Sequence, residues 1–122
     1  MVMDFEPKEL GKALHSIKKD LSGSEVKTLL HQLLSGIAYM HDKWYFHRDL
    51  KSSNLLYKDG VLKICDFGMA RQFSNPLSQY TQHVVTLLYR APELLLNPQE
   101  DMRYPPTKTI EYDEKVDMWS VG

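Results

Sequence analysis

The sequence predicts an α+β fold that is mostly helical and contains a short β-hairpin. Two observations support this prediction. An apolar stripe with helical spacing follows a capping sequence at Ser22, and two β-rich runs flank an Asp-Gly pair at Asp59-Gly60. A chain of 122 residues is long enough for one modest domain.

The beginning of the chain predicts a short strand end and a short helix. Residues 2–5 have the pattern of the tail of a strand. Apolar residues then recur at helical spacing from Leu10 to Ile17, and this amphipathic helix is expected to end near Ser22.

The second helix has the clearest sequence signals. Ser22-x-x-Glu25 is a capping box, in which the hydroxyl and the carboxylate satisfy backbone amides reciprocally. An apolar stripe continues through His41, and we expect it to pack against a core. The stripe consists of Val26, Leu29, Leu30, Leu33, Leu34, Ile37 and Met40.

Three strands are predicted in the middle of the chain. A brief strand at Trp44–Phe46 precedes a polar octet, His47–Asn54. Two further strands, Leu55–Tyr57 and Val61–Ile64, form a hairpin through Lys58-Asp59-Gly60, because glycine accepts the positive φ of a tight turn.

The last part of the chain shows fewer regular patterns, beginning with residues 69–90. Ala91–Leu96 predicts a short helix with proline in its first turn. Asn97–Lys115 is polar and proline-containing, which predicts a surface loop. A final helix is expected to open at Asp117, and the chain stops at Gly122 inside an apolar pattern, as a cut sequence would.

Composition and charge exclude several classes of protein. The hydrophobic and charged fractions, 43% and 25%, are those of an ordinary globular protein. A net charge of −1 gives no basic field for nucleic acid, and no apolar run approaches the roughly 20 residues that span a bilayer. The single cysteine, Cys65, excludes an internal disulfide framework. We expect an intracellular protein with neither a nucleic-acid nor a membrane partner.

The polar octet and the hairpin together predict phosphoryl-transfer chemistry. Asn54 precedes the first hairpin strand and Asp66 follows the second, so both lie at the open end, where an amide oxygen and a carboxylate suit Mg²⁺. Asp49 lies on the same loop, and Lys51 is placed to contact a phosphate. The alternative, which any one of these residues taken alone would favour, is an ordinary polar turn with an aspartate that caps a helix.

The order of these motifs carries a family resemblance. "HRDLKSSN", "DFG" and "APE" resemble the catalytic-loop, metal-binding and activation-segment signatures of eukaryotic protein kinases. The resemblance implies a protein-kinase-like fold in which residues 1–122 form a partial kinase domain, a C-lobe fragment with the N-lobe absent. This fragment would run from the hinge to the start of the central C-lobe helix, with an activation segment at 66–93 and a loop insertion at 97–115.

The resemblance implies a role for each residue of the octet and the DFG triplet. Asp49 would accept the proton of the substrate hydroxyl, and Lys51 would stabilise the transferring phosphoryl group, which indicates a Ser/Thr kinase. Asn54 and Asp66 would hold Mg²⁺ on the phosphates of ATP. His47 would be a scaffold residue.

A finer resemblance is to the cyclin-dependent kinase branch, through "YTQHVVTLLYRAPELLL" and "DMWSVG". "SEVKTLLHQLL" and "NPLSQYT" are most similar to the PITSLRE type. This likeness implies a cyclin partner for the full-length protein and residence in the nucleus or the cytoplasm. It also makes Thr81 an activation-loop phosphorylation site with Arg48 and Arg71 as partners; the alternative is an ordinary exposed threonine.

The same likeness implies the substrate and nucleotide sites. Thr86 would contact Asp49 and Lys51 in the active state. We expect Cys65 to be a small buried hydrophobe, and the alternative is a reactive thiol. For Val84 and Val85 the alternative is plain core. The pocket favouring proline after the phosphoacceptor would be formed by Val84, Val85 and Arg90. The ATP site would be lined by Met3 as gatekeeper, Asp4 and Glu6 at adenine, Glu9 near the ribose, Leu56 as floor, and Cys65.

The family pattern is incomplete in this sequence. The 122 residues contain no glycine-rich loop, no Val-Ala-Ile-Lys strand and no helix carrying the glutamate partner of that lysine. We therefore expect a proline-directed serine/threonine kinase whose 122-residue fragment alone is inactive and poorly soluble. The alternative hypothesis is a non-catalytic, kinase-derived interaction module or a truncated gene product.

Overall fold

The structure is a computed structural model. It describes residues 8–16, 20–73, 79–81, 86–96 and 109–122. The helices in these ranges are α1 (Leu10–Ser16), α2 (Gly23–Asp42), α3 (Pro92–Leu95) and α4 (Lys115–Val121). The strands are β1 (Tyr45–Phe46), β2 (Leu55–Lys58), β3 (Val61–Ile64), β4 (Arg71–Gln72), β5 (Gln79–Thr81) and β6 (Thr109–Glu111).

The chain divides into two compact units, each built from two stretches of sequence. The first unit comprises Met1–Tyr39 and Ser52–Asp66, and the second comprises Met40–Lys51 and Phe67–Gly122. The first unit therefore holds the hairpin, whereas the second holds the start of the polar octet.

Helix α2 begins at the predicted capping box. The Ser22 amide donates to Glu25 Oε2 at 2.7 Å, and the Glu25 amide donates to Ser22 Oγ at 3.3 Å, which is the reciprocal arrangement. Ile37 is buried, but Val26 and Leu30 are 48% and 43% exposed. The prediction that the whole stripe faces a core is therefore wrong at these two positions.

The physical reason lies in which face of α2 the hairpin covers. The hairpin contacts α2 at Gln32 and Gly36. This face is rotated by about a third of a turn from the side that carries Val26 and Leu30, given 3.6 residues per helical turn. The hairpin therefore does not cover the side of α2 that carries Val26 and Leu30.

Strands β2 and β3 form the predicted antiparallel hairpin, with a register that runs from Leu55↔Ile64 to Lys58↔Val61. Asp59 and Gly60 have φ values of 49° and 85°, so both turn residues adopt the left-handed conformation of a type I′ connection. The prediction of an Asp-Gly hairpin is confirmed.

The second unit is organised around one aromatic residue. Phe46 is fully buried in β1, and the rings of Phe73, Tyr80 and Tyr112 approach it edge-on, with centroids 5.7, 5.1 and 5.8 Å away. Such edge-to-face contacts stabilise aromatic clusters beyond simple burial. The buried core around them consists of Phe46, Ala91, Leu94, Tyr112 and Val116.

Some predicted boundaries differ from the structure. Trp44 has a φ of 62° and its amide donates to the carbonyl of His41, so it belongs to the turn that ends α2 and not to β1. Strand β6 lies inside the predicted loop 97–115, and α4 begins at Lys115 instead of Asp117. Residues 69–90, expected to be irregular, contain β4 and β5, which pair with β1 and β6.

The remaining predictions concern α3, segments outside the described residues, and membrane-spanning helices. Ala91–Leu96 contains α3, with Pro92 at its first position, as expected. The strand tail at residues 2–5, Ile17 and residues 97–108 lie outside the described residues. None of the helices within the described ranges has the length and apolarity required to cross a membrane.

Candidate active site

A buried carboxylate anchors the start of the polar octet. Asp117 is 1% exposed, and its oxygens accept hydrogen bonds from the backbone amides of His47 at 2.8 Å and Arg48 at 2.9 Å. Nε2 of His41 lies 2.9 Å from the same carboxylate. Three contacts satisfy the buried oxygens and fix the backbone just before Asp49.

This anchoring role was missed in the sequence analysis, which took Asp117 for the residue that opens α4. The residue lies inside the first turn of that helix and faces inward. A signal was present in the sequence, because a lone carboxylate between Val116 and Met118 is unusual in an apolar helix.

Asp49, Lys51 and Thr86 form a closed hydrogen-bonded triangle. Lys51 Nζ donates to Asp49 Oδ2 at 2.7 Å and to Thr86 Oγ1 at 3.0 Å. Thr86 donates to Asp49 Oδ1 twice, through its hydroxyl at 3.0 Å and its amide at 3.1 Å. The structure therefore brings together the three predicted catalytic residues, which come from two loops of the second unit.

The triangle changes the acidity of Asp49. Burial alone would raise the pKa of this carboxyl, but hydrogen bonds from Lys51 and Thr86 and the lysine charge outweigh that effect. The pKa of Asp49 consequently lies below its ordinary value of 3.8. At neutral pH the carboxylate is ionised and is held in one orientation.

The predicted metal ligands flank the open end of the hairpin in the first unit. Asn54 is 6% exposed, Asp66 is exposed, and the amide of Cys65 donates to the carbonyl of Asn54 at 2.9 Å. The structure thus places the two residues at the paired ends of β2 and β3. An amide and a carboxylate suit Mg²⁺, which keeps waters and phosphates as its other ligands.

The Asn54–Asp66 pair would supply a metal with one amide oxygen and one carboxylate. Within the described ranges, no group of three or more His, Cys, Asp or Glu residues could hold a metal by itself. Asp66 has a φ of 60°, a strained conformation for a residue other than glycine. Strain of this kind is often found where a side chain is aimed at a ligand.

Three residues predicted to line the nucleotide site share the first unit. Glu9 forms an antiparallel bridge with Leu56. The pKa of the Cys65 thiol is raised by burial and then by the charges of Asp66 and Glu9, so these side chains share one neighbourhood. Met3, Asp4 and Glu6 lie outside the described residues.

The environment of Arg48 is unlike that of a surface arginine. Its side chain is buried, its Nε donates to the carbonyl of Met69 at 2.7 Å, and Nη1 donates to the Tyr112 hydroxyl at 2.8 Å. Its guanidinium carbon lies 5.9 Å from the ring centroid of Tyr80, the residue before Thr81. Arg71, the second predicted phosphate partner, is exposed in β4.

The remaining predicted residues differ in how far they are described. His47 is fully buried and its ring lies 5.2 Å from that of Phe67, which fits a scaffold residue. Arg90 is half-buried, and its amide donates to the carbonyl of Leu87. Val84 and Val85 lie outside the described residues, as does the side chain of Thr81.

Comparison with known families identifies the motif set. Residues 1–122 match the family model described as "Protein kinase domain". The chain belongs to the protein kinase domain family. Its protein-kinase-like fold therefore has the expected α+β character, with a mostly helical chain and a short hairpin.

The curated relatives of this kinase-domain chain include several cyclin-dependent kinases. It is 52% identical to cyclin-dependent kinase G-2 of Oryza sativa subsp. indica, covering 100% of this chain and 16% of the relative. It is 50% identical to cyclin-dependent kinase 11 of Dictyostelium discoideum and 48% identical to cyclin-dependent kinase 11B of Mus musculus, again covering 100% of this chain. It spans 31% and 14% of those two relatives.

A solved structure supports the same family. The kinase-domain chain is similar to a chain in the crystal structure of the yeast RNA Pol II CTD kinase CTDK-1 complex, with a TM-score of 0.80 and 39% identity. The similarity covers 97% of this chain and 35% of that chain. The expected resemblance to the cyclin-dependent kinase branch is confirmed.

Proposed function

We propose that this chain supplies the catalytic loop, the metal ligands and the activation segment of a serine/threonine protein kinase that uses ATP. The observation that carries the proposal is the triangle of Asp49, Lys51 and Thr86. It presents one ionised carboxylate and one ammonium group side by side, as phosphoryl transfer to an alcohol requires.

Within this proposal, Asp49 accepts the proton of the attacking serine or threonine hydroxyl and orients it. Its lowered pKa keeps it ionised, and the hydrogen bonds from Thr86 hold it in position. Lys51 stabilises charge on the transferring phosphoryl group. The transfer depends mainly on positioning and electrostatics, because the protein forms no bond to phosphorus.

Asn54 and Asp66 would hold Mg²⁺, and the bound ion would neutralise charge on the phosphates. Their fit rests on the oxygen donors at the paired strand ends. The nucleotide would lie against Glu9, Leu56 and Cys65, which share one neighbourhood in the first unit. The adenine contacts of this proposal are Met3, Asp4 and Glu6.

The activation segment provides regulation and specificity in the same proposal. Thr81 is the phosphorylation site, and Arg48 and Arg71 are its partners. Support comes from Arg48, which lies over the ring of Tyr80, the residue before Thr81.

The substrates are proteins with Ser-Pro or Thr-Pro, and the whole protein acts with a cyclin in the nucleus or the cytoplasm. The names of the relatives support the cyclin partner. The proline pocket consists of Val84, Val85 and Arg90.

A chimaeric kinase tests the function. This chain replaces the matching segment of the Dictyostelium discoideum relative, with which it shares 50% identity over 123 residues. We expect the chimaera to transfer the γ-phosphate of ATP to Ser-Pro peptides, and Asp49→Asn to lower the rate by roughly 10²–10⁴-fold, the usual contribution of a positioned proton acceptor.

The matched control is Asp42→Asn, an exposed carboxylate at the end of α2, which should leave the rate unchanged. A folded chimaera that is inactive, or one that keeps its rate after Asp49→Asn, would contradict the proposal. An inactive chimaera would favour the non-catalytic interaction module, which is also the role expected of the isolated 122 residues because they contain no glycine-rich loop. A rate that survives Asp49→Asn would instead show that Asp49 is not the proton acceptor.

A further inference from the structure

One side chain of α2 takes the place of a neighbouring strand at the edge of the hairpin. Gln32 Nε2 donates to the carbonyl of Gly60 at 2.9 Å, and the amide of Leu62 donates to Gln32 Oε1 at 2.9 Å. A single carboxamide thus makes the two bonds that a peptide unit of an adjacent strand would make.

The register of the hairpin explains why this edge needs a partner. With a two-residue turn, Lys58 and Val61 bond to each other, so the next pair, Tyr57 and Leu62, turns its backbone groups outward. The Tyr57 amide donates to the carbonyl of Lys8 at 2.9 Å, and the Leu62 amide donates to Gln32 Oε1. Because two-stranded hairpins are marginally stable alone, these outer bonds matter for the position of the strands.

A second contact lies one helical turn further along the same face of α2. A Cβ at Gly36 would lie 3.1 Å from Cδ1 of Ile64, so the helix approaches β3 closely at this point. Gln32 and Gly36 are four residues apart and therefore neighbours on the helix surface. Ile64 pairs with Leu55 and lies two residues before Asp66, at the open end of the hairpin.

These contacts connect α2 with the proposed metal ligands. We propose that Gln32 is a positioning residue for the Asn54–Asp66 pair. Together with the close approach at Gly36, its carboxamide fixes β3 on α2 and so determines the position of Asp66 relative to Asn54. This inference rests on the proposed function of that pair. It assigns Gln32 no contact with substrate, nucleotide or metal.

The test uses this chain within the chimaeric kinase and two measurements that do not depend on activity. Gln32→Met keeps the length of the side chain and removes both hydrogen bonds. We expect amide hydrogen exchange at Leu62 to accelerate roughly tenfold, the effect of one lost hydrogen bond. We expect the half-saturating Mn²⁺ concentration, measured by electron paramagnetic resonance, to rise roughly tenfold, as when residues that orient metal ligands are replaced.

Two further variants separate positioning from general loss of stability. His31→Met changes the neighbouring exposed residue of α2 and should alter neither measurement. Gln32→Glu keeps an acceptor for the Leu62 amide but loses the donor to the Gly60 carbonyl, so it should recover slow exchange and the Mn²⁺ affinity in part. It keeps the inference testable if Gln32→Met does not fold.

The outcomes distinguish this inference from the proposed function. Faster exchange at Leu62 with unchanged Mn²⁺ affinity would overturn the inference, because Gln32 would then be structural only. Mn²⁺ binding by the unaltered chain that is insensitive to Asp66→Asn would instead contradict the proposed metal pair itself. Loss of both properties in Gln32→Met, with partial recovery in Gln32→Glu, supports the inference.

Discussion

Two residues, one in each compact unit, adopt strained backbone conformations. Arg48 and Asp66 have φ values of 68° and 60°, in the left-handed region that residues other than glycine rarely occupy. Such a conformation persists only where surrounding contacts impose it. For Arg48 these contacts are the bond from its amide to Asp117 and the bonds of its guanidinium to Met69 and Tyr112.

The lowered pKa of Asp49 leads to a prediction about pH. A carboxyl whose pKa falls on folding stabilises the protein fully above its ordinary value of 3.8, and this contribution is lost as the pH falls through the lower folded value. Thr86→Val removes one of the bonds that lower the pKa. We expect this variant to reduce the free energy of unfolding near neutral pH, and the difference to shrink as the pH falls below about 4.

Urea denaturation across this pH range measures the effect. Thr28→Val is the control, because the Thr28 hydroxyl donates to the carbonyl of Ser24 within its own helix. A difference between Thr86→Val and the unaltered chain that stays constant down to low pH would show that the hydroxyl does not act through the ionised carboxylate.

At the scale of elements, α2 is the best specified part of the chain. Its capping box forms as the sequence predicts, and Ser22 Oγ also donates to Glu25 Oε2 at 2.6 Å. The helix is 20 residues long and has few buried side chains, so local contacts at its end matter more than they would in a helix packed on all sides.

Ser22→Ala therefore tests the local contribution to α2. We expect it to lower the free energy of unfolding by about 1 kcal/mol, the usual effect of removing an N-cap hydroxyl. Ser35→Ala is a matched control, since that exposed serine only donates to the carbonyl of His31 in the same helix. Circular dichroism during denaturation measures both; equal effects of the two substitutions would argue against a specific cap.

At the scale of the whole molecule, large apolar side chains remain exposed. Leu88 is 90% and Leu96 is 77% exposed, and Tyr39, Leu87 and Trp119 are also accessible. Exposed apolar surface of this kind promotes association. We expect the isolated 122-residue chain to self-associate and to bind hydrophobic dyes.

Light scattering coupled to size-exclusion chromatography checks this expectation. Leu88→Ser and Leu96→Ser together should shift the chain toward the monomer, because they remove the two most exposed leucines among the residues that the structure describes. Both substituted side chains are exposed, whereas Leu94 between them in the sequence is buried and unchanged. The double substitution therefore alters the surface and not the core. A monodisperse monomer before any substitution would contradict the prediction.

The sequence by itself determined the features that depend on near neighbours. The capping box at Ser22, the Asp59-Gly60 turn and the register of the hairpin follow from local chemistry, and so does the placing of Asn54 and Asp66 at its open end. The order of the motifs was enough to indicate the family. Each of these structural features is set by residues that are near one another in the sequence.

Only the tertiary structure decided which distant groups meet. Asp117 reaches the amides of His47 and Arg48, which are 70 and 69 positions away along the chain, and no local pattern encodes such a contact. The exposure of Val26 and Leu30 was likewise invisible to helical periodicity, because periodicity shows which side chains share a face but not whether another element covers it. Contacts between distant segments are fixed by how the elements pack, and local sequence carries little of that information.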